Sequence, residues 1–147
     1  MRLWHQYLIE YLPDKQLLGQ HRELCALRGL GFGKKHRIVN YVFDYPYYCL
    51  YKFHLIVIDE MVRRNFKVDE LWFDSRYRGK KIGYDNSTFT KKILVNTIIY
   101  KEHSIEYLVE CLKNLNNKNI YLSIPQKGKF YDLIQKNNLL KYVSIIE

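Results

Sequence analysis

Apolar residues recur at helical spacing through the first half of the chain. In WHQYLIEYL, residues 4–12, Trp4, Tyr7, Leu8, Tyr11 and Leu12 fall three and four apart and predict a short helix. Pro13 closes it or opens the next, because proline breaks a helix interior yet suits a first turn. Residues 14–28 predict the clearest helix, with Leu17, Leu18, His21, Leu24, Cys25 and Arg28 along one side. That side is the expected core stripe, with Arg28 leaving the core at its end. A second long helix is expected over 46–65, opened by Pro46, with Leu50, Phe53, Val57, Ile58, Met61 and Val62 as its apolar positions. Asp59 and Glu60 stand four before Arg63 and Arg64, the spacing of ion pairs on a solvent face.

The remainder is less regular. IVNYVFDY at 38–45 reads as extended or as a continuing turn, and 86–99 reads equally as helix or strand. A helix is expected over 105–117, with Ile105, Leu108, Leu112 and Leu115 as its stripe and Ser104 as its cap. YLSI at 121–124 and YVSII at 142–146 read as short strands, with a helix from Lys129 to Asn137 between them. No repeat or linker divides the chain. The expected fold is mainly α: one compact domain of packed helices over 1–147, with a few short strands in its C-terminal third.

The length and the 48% apolar content allow a buried core without metal or disulfide staples. The net charge of +9 changes the picture more. Lysine and arginine outnumber acids in both halves of the chain, so the excess is not a tail. It marks either a solvated cationic surface or a polyanionic partner, nucleic acid foremost. No apolar run is long enough to span a membrane; LIVI at 55–58 is too short. The three cysteines are far apart and form no CxxC, which fits reduced thiols. With no apolar leader at the start, the expected location is cytoplasmic, reducing and with access to DNA. A monomer is expected.

Several stretches carry candidate chemistry. GLGFGKKHR at 29–37 is a glycine-rich basic loop that matches neither GxGxxG nor a Walker motif. Its Lys34, Lys35, His36 and Arg37 suit phosphate contacts, or simply an exposed basic turn. Over 69–84, Trp72, Tyr77 and Tyr84 interleave with Arg76, Arg78, Lys80 and Lys81. Such a segment suits a nucleic-acid groove, and equally a loop that packs its rings inward. The five histidines show no ligand spacing, so neither metal nor cofactor is expected. Cys25 is expected to be an inert buried thiol. Glu23 has the small residues Gly19 and Ala26 as helix neighbours, which either clears room for a ligand or admits a packed helix. The nucleophile candidates that remain are amines. An α-amino group has a pKa of about 7.7–8.0 against about 10.4 for lysine, so a chain terminus is far more often unprotonated at neutral pH. A terminus beside a lone carboxylate is a sensible site for attack on a sugar carbon.

MRLWHQYLIEYLPDKQLLGQHRELCALRG, followed by GKKH, EMVRRNFKV and RYRG, resembles the pyrimidine-dimer DNA glycosylase family. The resemblance covers residues 1–84, with QLLGQHREL its most specific stretch, and the block at 99–115 extends it toward 120. It implies a compact all-α fold, no metal, and double-stranded damaged DNA as partner. It implies that the terminal amine attacks the sugar of the damaged nucleotide to form an imine. It further implies that the Arg-Glu pair, here Arg22 and Glu23, assists base loss and β-elimination. Arg2 is too bulky for removal of the initiator methionine, so the implied nucleophile is the amine of Met1. A family histidine is replaced by Gln16, and a second arginine by Ala26, with Arg28 taking over as a phosphate contact. The implied DNA-binding set is Arg2, Gln16, Arg28, Lys34, Lys35, His36, Arg37, Arg76, Arg78 and Lys80. Residues 85–147 form an extension packed on the family-like part. The alternative reading is a non-catalytic nucleic-acid-binding protein that uses the same basic aromatic surface.

Overall fold

The computed structural model describes residues 2–29, 37–86 and 97–146. The molecule is mainly helical, as expected, with one small parallel sheet near the C-terminus. The leading segment forms a 3-10 helix, Gln6–Tyr11, rather than an α-helix. His5 caps it, its Nδ1 accepting the Tyr7 amide proton at 3.1 Å. Leu3, Trp4, Leu8, Ile9 and Leu12 are buried, so the chain start belongs to the core.

Pro13 precedes helix α1, Asp14–Arg28, and Gly29 ends it. The span is the expected one, and the buried face overlaps the expected stripe in part. Leu17, Gln20, Leu24, Leu27 and Arg28 are buried, while Leu18, His21 and Cys25 are half-buried. The leading segment hydrogen-bonds to Gln20, and this turns the covered face toward 20 and 27. Hydropathy alone cannot register a polar residue that is buried by its bonds.

Helix α2, Tyr47–Arg63, starts after Pro46 and packs against α1. Leu50, Phe53, Val57, Ile58 and Met61 are buried as expected, whereas Val62 is exposed. Glu60 is not on a solvent face: it is buried and pairs with both Arg63 and Arg64, the latter at 2.8 Å. Arg64 continues to Asp14 at 2.9 Å and to the Glu10 carbonyl at 3.2 Å. A buried carboxylate is tolerable only when paired, and this pairing ties the end of α2 to the start of α1.

Residues Arg37–Asp44 form a 3-10 helix rather than an extended segment. The ambiguous stretch at 86–99 falls largely on 87–96, outside the described residues. Helix α3, Ile105–Asn117, is capped by the Ser104 side chain, which accepts the Tyr107 amide proton at 3.2 Å. Leu108, Cys111, Leu112 and Leu115 form its buried face. Strands β1, Leu122–Pro125, and β2, Val143–Ile146, pair in parallel with Leu122 opposite Val143. Parallel strands need a crossover connection, and helix α4, Lys129–Lys136, lies within it. One core cluster runs from Leu3 through α1, α2 and α3 to Val143, so the C-terminal elements share a core with the first helix. Among the described residues, no helix is long and apolar enough to cross a membrane.

Three core histidines make this fold pH-sensitive. Burial lowers His5 to about 4 and His103 to about 3, and holds His54 well below the ordinary histidine range. In the unfolded chain each titrates near 6.5. Below that pH the unfolded state takes up protons that the folded state refuses, so stability falls as pH drops. The thermal midpoint should therefore be higher at pH 7 than at pH 5, where His5 and His103 each cost roughly 2 kcal/mol and His54 acts in the same direction. A midpoint unchanged between pH 7 and pH 5 would contradict this assignment.

Candidate active site

The expected catalytic glutamate sits in the middle of α1, one turn after Gln20. Gln20 is 1% exposed, yet every polar atom of its carboxamide is used. Its Oε1 accepts the Trp4 amide proton at 2.6 Å. Its Nε2 donates to the Arg2 carbonyl at 3.0 Å and lies 3.3 Å from Glu23 Oε2. One amide nitrogen therefore touches both the backbone of the second residue and the Glu23 carboxylate. Met1 itself lies outside the described residues.

Glu23 is half-buried and Arg22 beside it is exposed. Burial raises the Glu23 carboxyl above its ordinary range, opposed first by the positive charge of the N-terminal amine and then by Arg22. A carboxyl raised in this way can hold or release a proton closer to neutral pH than an exposed one. The two open readings of Gly19 separate here. A Cβ built on Gly19 meets only Arg22 Nη2, at 3.9 Å, among the described residues. Among the described residues, no helix packs against Gly19.

Arg28 is not a phosphate contact. Its side chain is fully buried and all five of its N–H groups have an acceptor. Nε donates to the Tyr47 hydroxyl at 2.8 Å. Nη1 donates to His54 Nδ1 at 3.0 Å and to the Trp72 carbonyl at 2.9 Å. Nη2 donates to the carbonyls of Asp74 and Tyr77 at 2.9 and 2.8 Å. The Trp72 and Tyr51 rings lie 4.9 and 5.2 Å from the guanidinium carbon. The basic aromatic segment accordingly packs inward at Trp72 and Tyr77, whose rings meet edge to face at 4.8 Å. Arg78 is drawn in as well: it donates to the Arg28 carbonyl at 2.7 Å and stands 4.0 Å over the Tyr47 ring.

The other expected DNA contacts divide. Arg76 is exposed, paired with Asp74 at 2.8 Å and lying over the exposed Tyr84 ring. Lys80 is exposed and Gln16 half-buried. Arg2 is half-buried, and its Nη1 is enclosed without a hydrogen-bond partner among the described residues. Lys34, Lys35 and His36 lie outside the described residues, as does the side chain of Arg37.

Tertiary packing brings together two histidines that are 33 residues apart in sequence. The ligand-type atoms of His21, Cys25 and His54 lie within 4.8 Å of one another. Arg28 dictates their protons. A guanidinium only donates, so His54 Nδ1 accepts and the neutral ring carries its proton on Nε2. That proton points at His21 Nδ1, 2.9 Å away, and His21 Nε2 then faces Cys25 Sγ at 3.8 Å. A cation would have to displace the proton between the two rings, so as arranged the set is a chain of donors rather than a ready metal cage. Burial lowers both imidazoles and raises the Cys25 thiol to about 12, consistent with neutral groups throughout.

A family model described as pyrimidine dimer DNA glycosylase matches residues 1–74, half of the chain. No curated protein and no solved structure matches the chain.

Two substitutions check the geometry. Gly19→Ala should stabilise the protein by up to about 1 kcal/mol in a denaturant melt, because alanine favours the helix and meets no neighbour; a loss would place a packed element there. Arg28→Lys keeps the charge but strands most of the five acceptors. It should cost about 3–5 kcal/mol, where a surface cation would cost almost nothing.

Proposed function

The chain belongs to the pyrimidine dimer DNA glycosylase family, and we propose that it excises damaged bases with an abasic-site lyase step driven by its N-terminal amine. DNA is the substrate class the family implies. The observation that carries the finer reading is the shared contact of Gln20 Nε2 with the Arg2 carbonyl and the Glu23 carboxylate. It leaves a single residue between a fixed backbone position and the chain's amine. The influence of the N-terminal charge on Glu23 supports the same neighbourhood.

In the proposed reaction the unprotonated amine attacks C1′ of the damaged nucleotide, and the base leaves with the glycosidic electron pair and takes a proton. Opening of the sugar ring gives an iminium that joins the terminal nitrogen to C1′. Glu23, as carboxylate, stabilises the cationic sugar during base loss. It then assists removal of a C2′ proton, after which the C3′–O bond breaks and the 3′ phosphate leaves. Arg22, exposed beside Glu23, takes a phosphate of the lesion strand in this proposal, with Lys80 and Arg76 as further exposed cations. Lys34 and Lys35 remain proposed contacts. Among the described residues only the Arg22 side chain comes near a Cβ at Gly19, one turn before Glu23, which supports an open approach.

Borohydride should trap a covalent complex between the protein and duplex DNA carrying an abasic site. Acetylation of the terminal amine should abolish the trap, and Glu23→Gln should slow strand cleavage by about 10²-fold or more. A trap that survives terminal acetylation would move the nucleophile to a lysine, Lys34 or Lys35 first. Salt-sensitive duplex binding with no adduct would identify a binding module instead.

A further inference from the structure

The chain start is gripped from two sides. On one side, Gln20 of α1 binds the Arg2 carbonyl and the Trp4 amide. The orientation of its carboxamide is forced. The Trp4 N–H can only donate, so Oε1 must face it, and the two acceptors, the Arg2 carbonyl and the Glu23 carboxylate, must face Nε2. On the other side, Tyr107 of α3 donates its hydroxyl to the Leu3 carbonyl. Three consecutive residues thus have a backbone group held by a side chain, while the Leu3 and Trp4 side chains are buried. Tyr107 lies beyond the residues matched by the family model.

We propose that Gln20 and Tyr107 are positioning residues that set the register of the chain start against Glu23. This rests on the reading of the terminal amine as nucleophile. An amine attached to a free chain end samples many positions, and fixing the next three residues removes most of that freedom before DNA arrives. Displacement of a reacting group by about 1 Å can cost 10²-fold in rate. Gln20 has a second effect: a donor to the Glu23 carboxylate favours its ionised form and offsets part of the effect of burial. The C-terminal extension acquires a role through Tyr107, as the rear wall that keeps the leading segment on α1.

The test uses the full chain and two measurements. Single-turnover borohydride trapping on an abasic duplex reports attack by the amine. Equilibrium binding to a duplex with a tetrahydrofuran abasic analogue, which cannot form an imine, reports DNA affinity. Gln20→Leu should slow trapping by about 10²-fold and Tyr107→Phe by about tenfold, with analogue affinity unchanged in both. Gln20→Glu should also move the acid limb of the trapping profile to higher pH, because two adjacent carboxylates resist joint ionisation. Variants that trap at the wild-type rate with an unmoved acid limb would overturn the proposal. So would variants that lose analogue affinity in step with trapping. If both Gln20 variants lose their cooperative melt, Tyr107→Phe decides alone: slowed trapping in a protein that melts normally upholds the proposal, and a wild-type rate overturns it. A wild-type protein with no terminal adduct would remove the underlying reading and this one with it, whereas a terminal adduct with unaffected variants would remove this one alone.

Discussion

A guanidinium with no access to water must find an acceptor for every proton it carries, or the fold pays several kcal/mol for the charge. Arg28 meets that demand with a hydroxyl, an imidazole and three carbonyls. Those acceptors come from α2 and from the segment between Trp72 and Tyr77. The last residue of α1 thereby fixes where α2 lies and how the 69–84 segment folds over both helices. It also fixes the proton on His54, and through it the direction of the hydrogen bonds to His21 and Cys25.

α1 thus carries two anchors of different kind. Arg28 at its end fastens the helix to the body of the protein. Gln20 near its centre fastens the chain start to the helix. Glu23 lies between them in sequence, beside an exposed Arg22. Of the expected contacts that are described, Arg76 and Lys80 stay exposed, as does Arg22, whereas Arg28 is enclosed by the fold.

Much of the scaffold was legible in the sequence. Pro13 and Gly29 bracket α1, Pro46 opens α2, and Ser104 caps α3, each by local chemistry that requires no knowledge of the fold. The two strands and the helix between them were also legible to within a residue. The polar interior was not. Gln20, His54, Glu60 and Arg28 are buried because partners distant in sequence satisfy them, and no periodicity encodes a partner. Arg28 looked like a phosphate ligand because a buried arginine and an exposed one are the same letter. The aromatic segment offered two readings, and Trp72 and Tyr77 follow the inward one, because Arg28 offers their carbonyls and rings a place to bind. The Arg-Glu pair was singled out by the family resemblance alone and stands as a proposal, whereas the contact that draws Arg2 toward Glu23 is a tertiary fact.

The central claim is that the chain's own terminal nitrogen is the nucleophile beside Glu23. Its most direct test is peptide mapping of the borohydride-reduced protein–DNA complex by mass spectrometry after digestion of both components. The account predicts the deoxyribose remnant on the α-nitrogen of the peptide that begins at Met1. The remnant on a lysine side chain, with an unmodified N-terminal peptide, would contradict it.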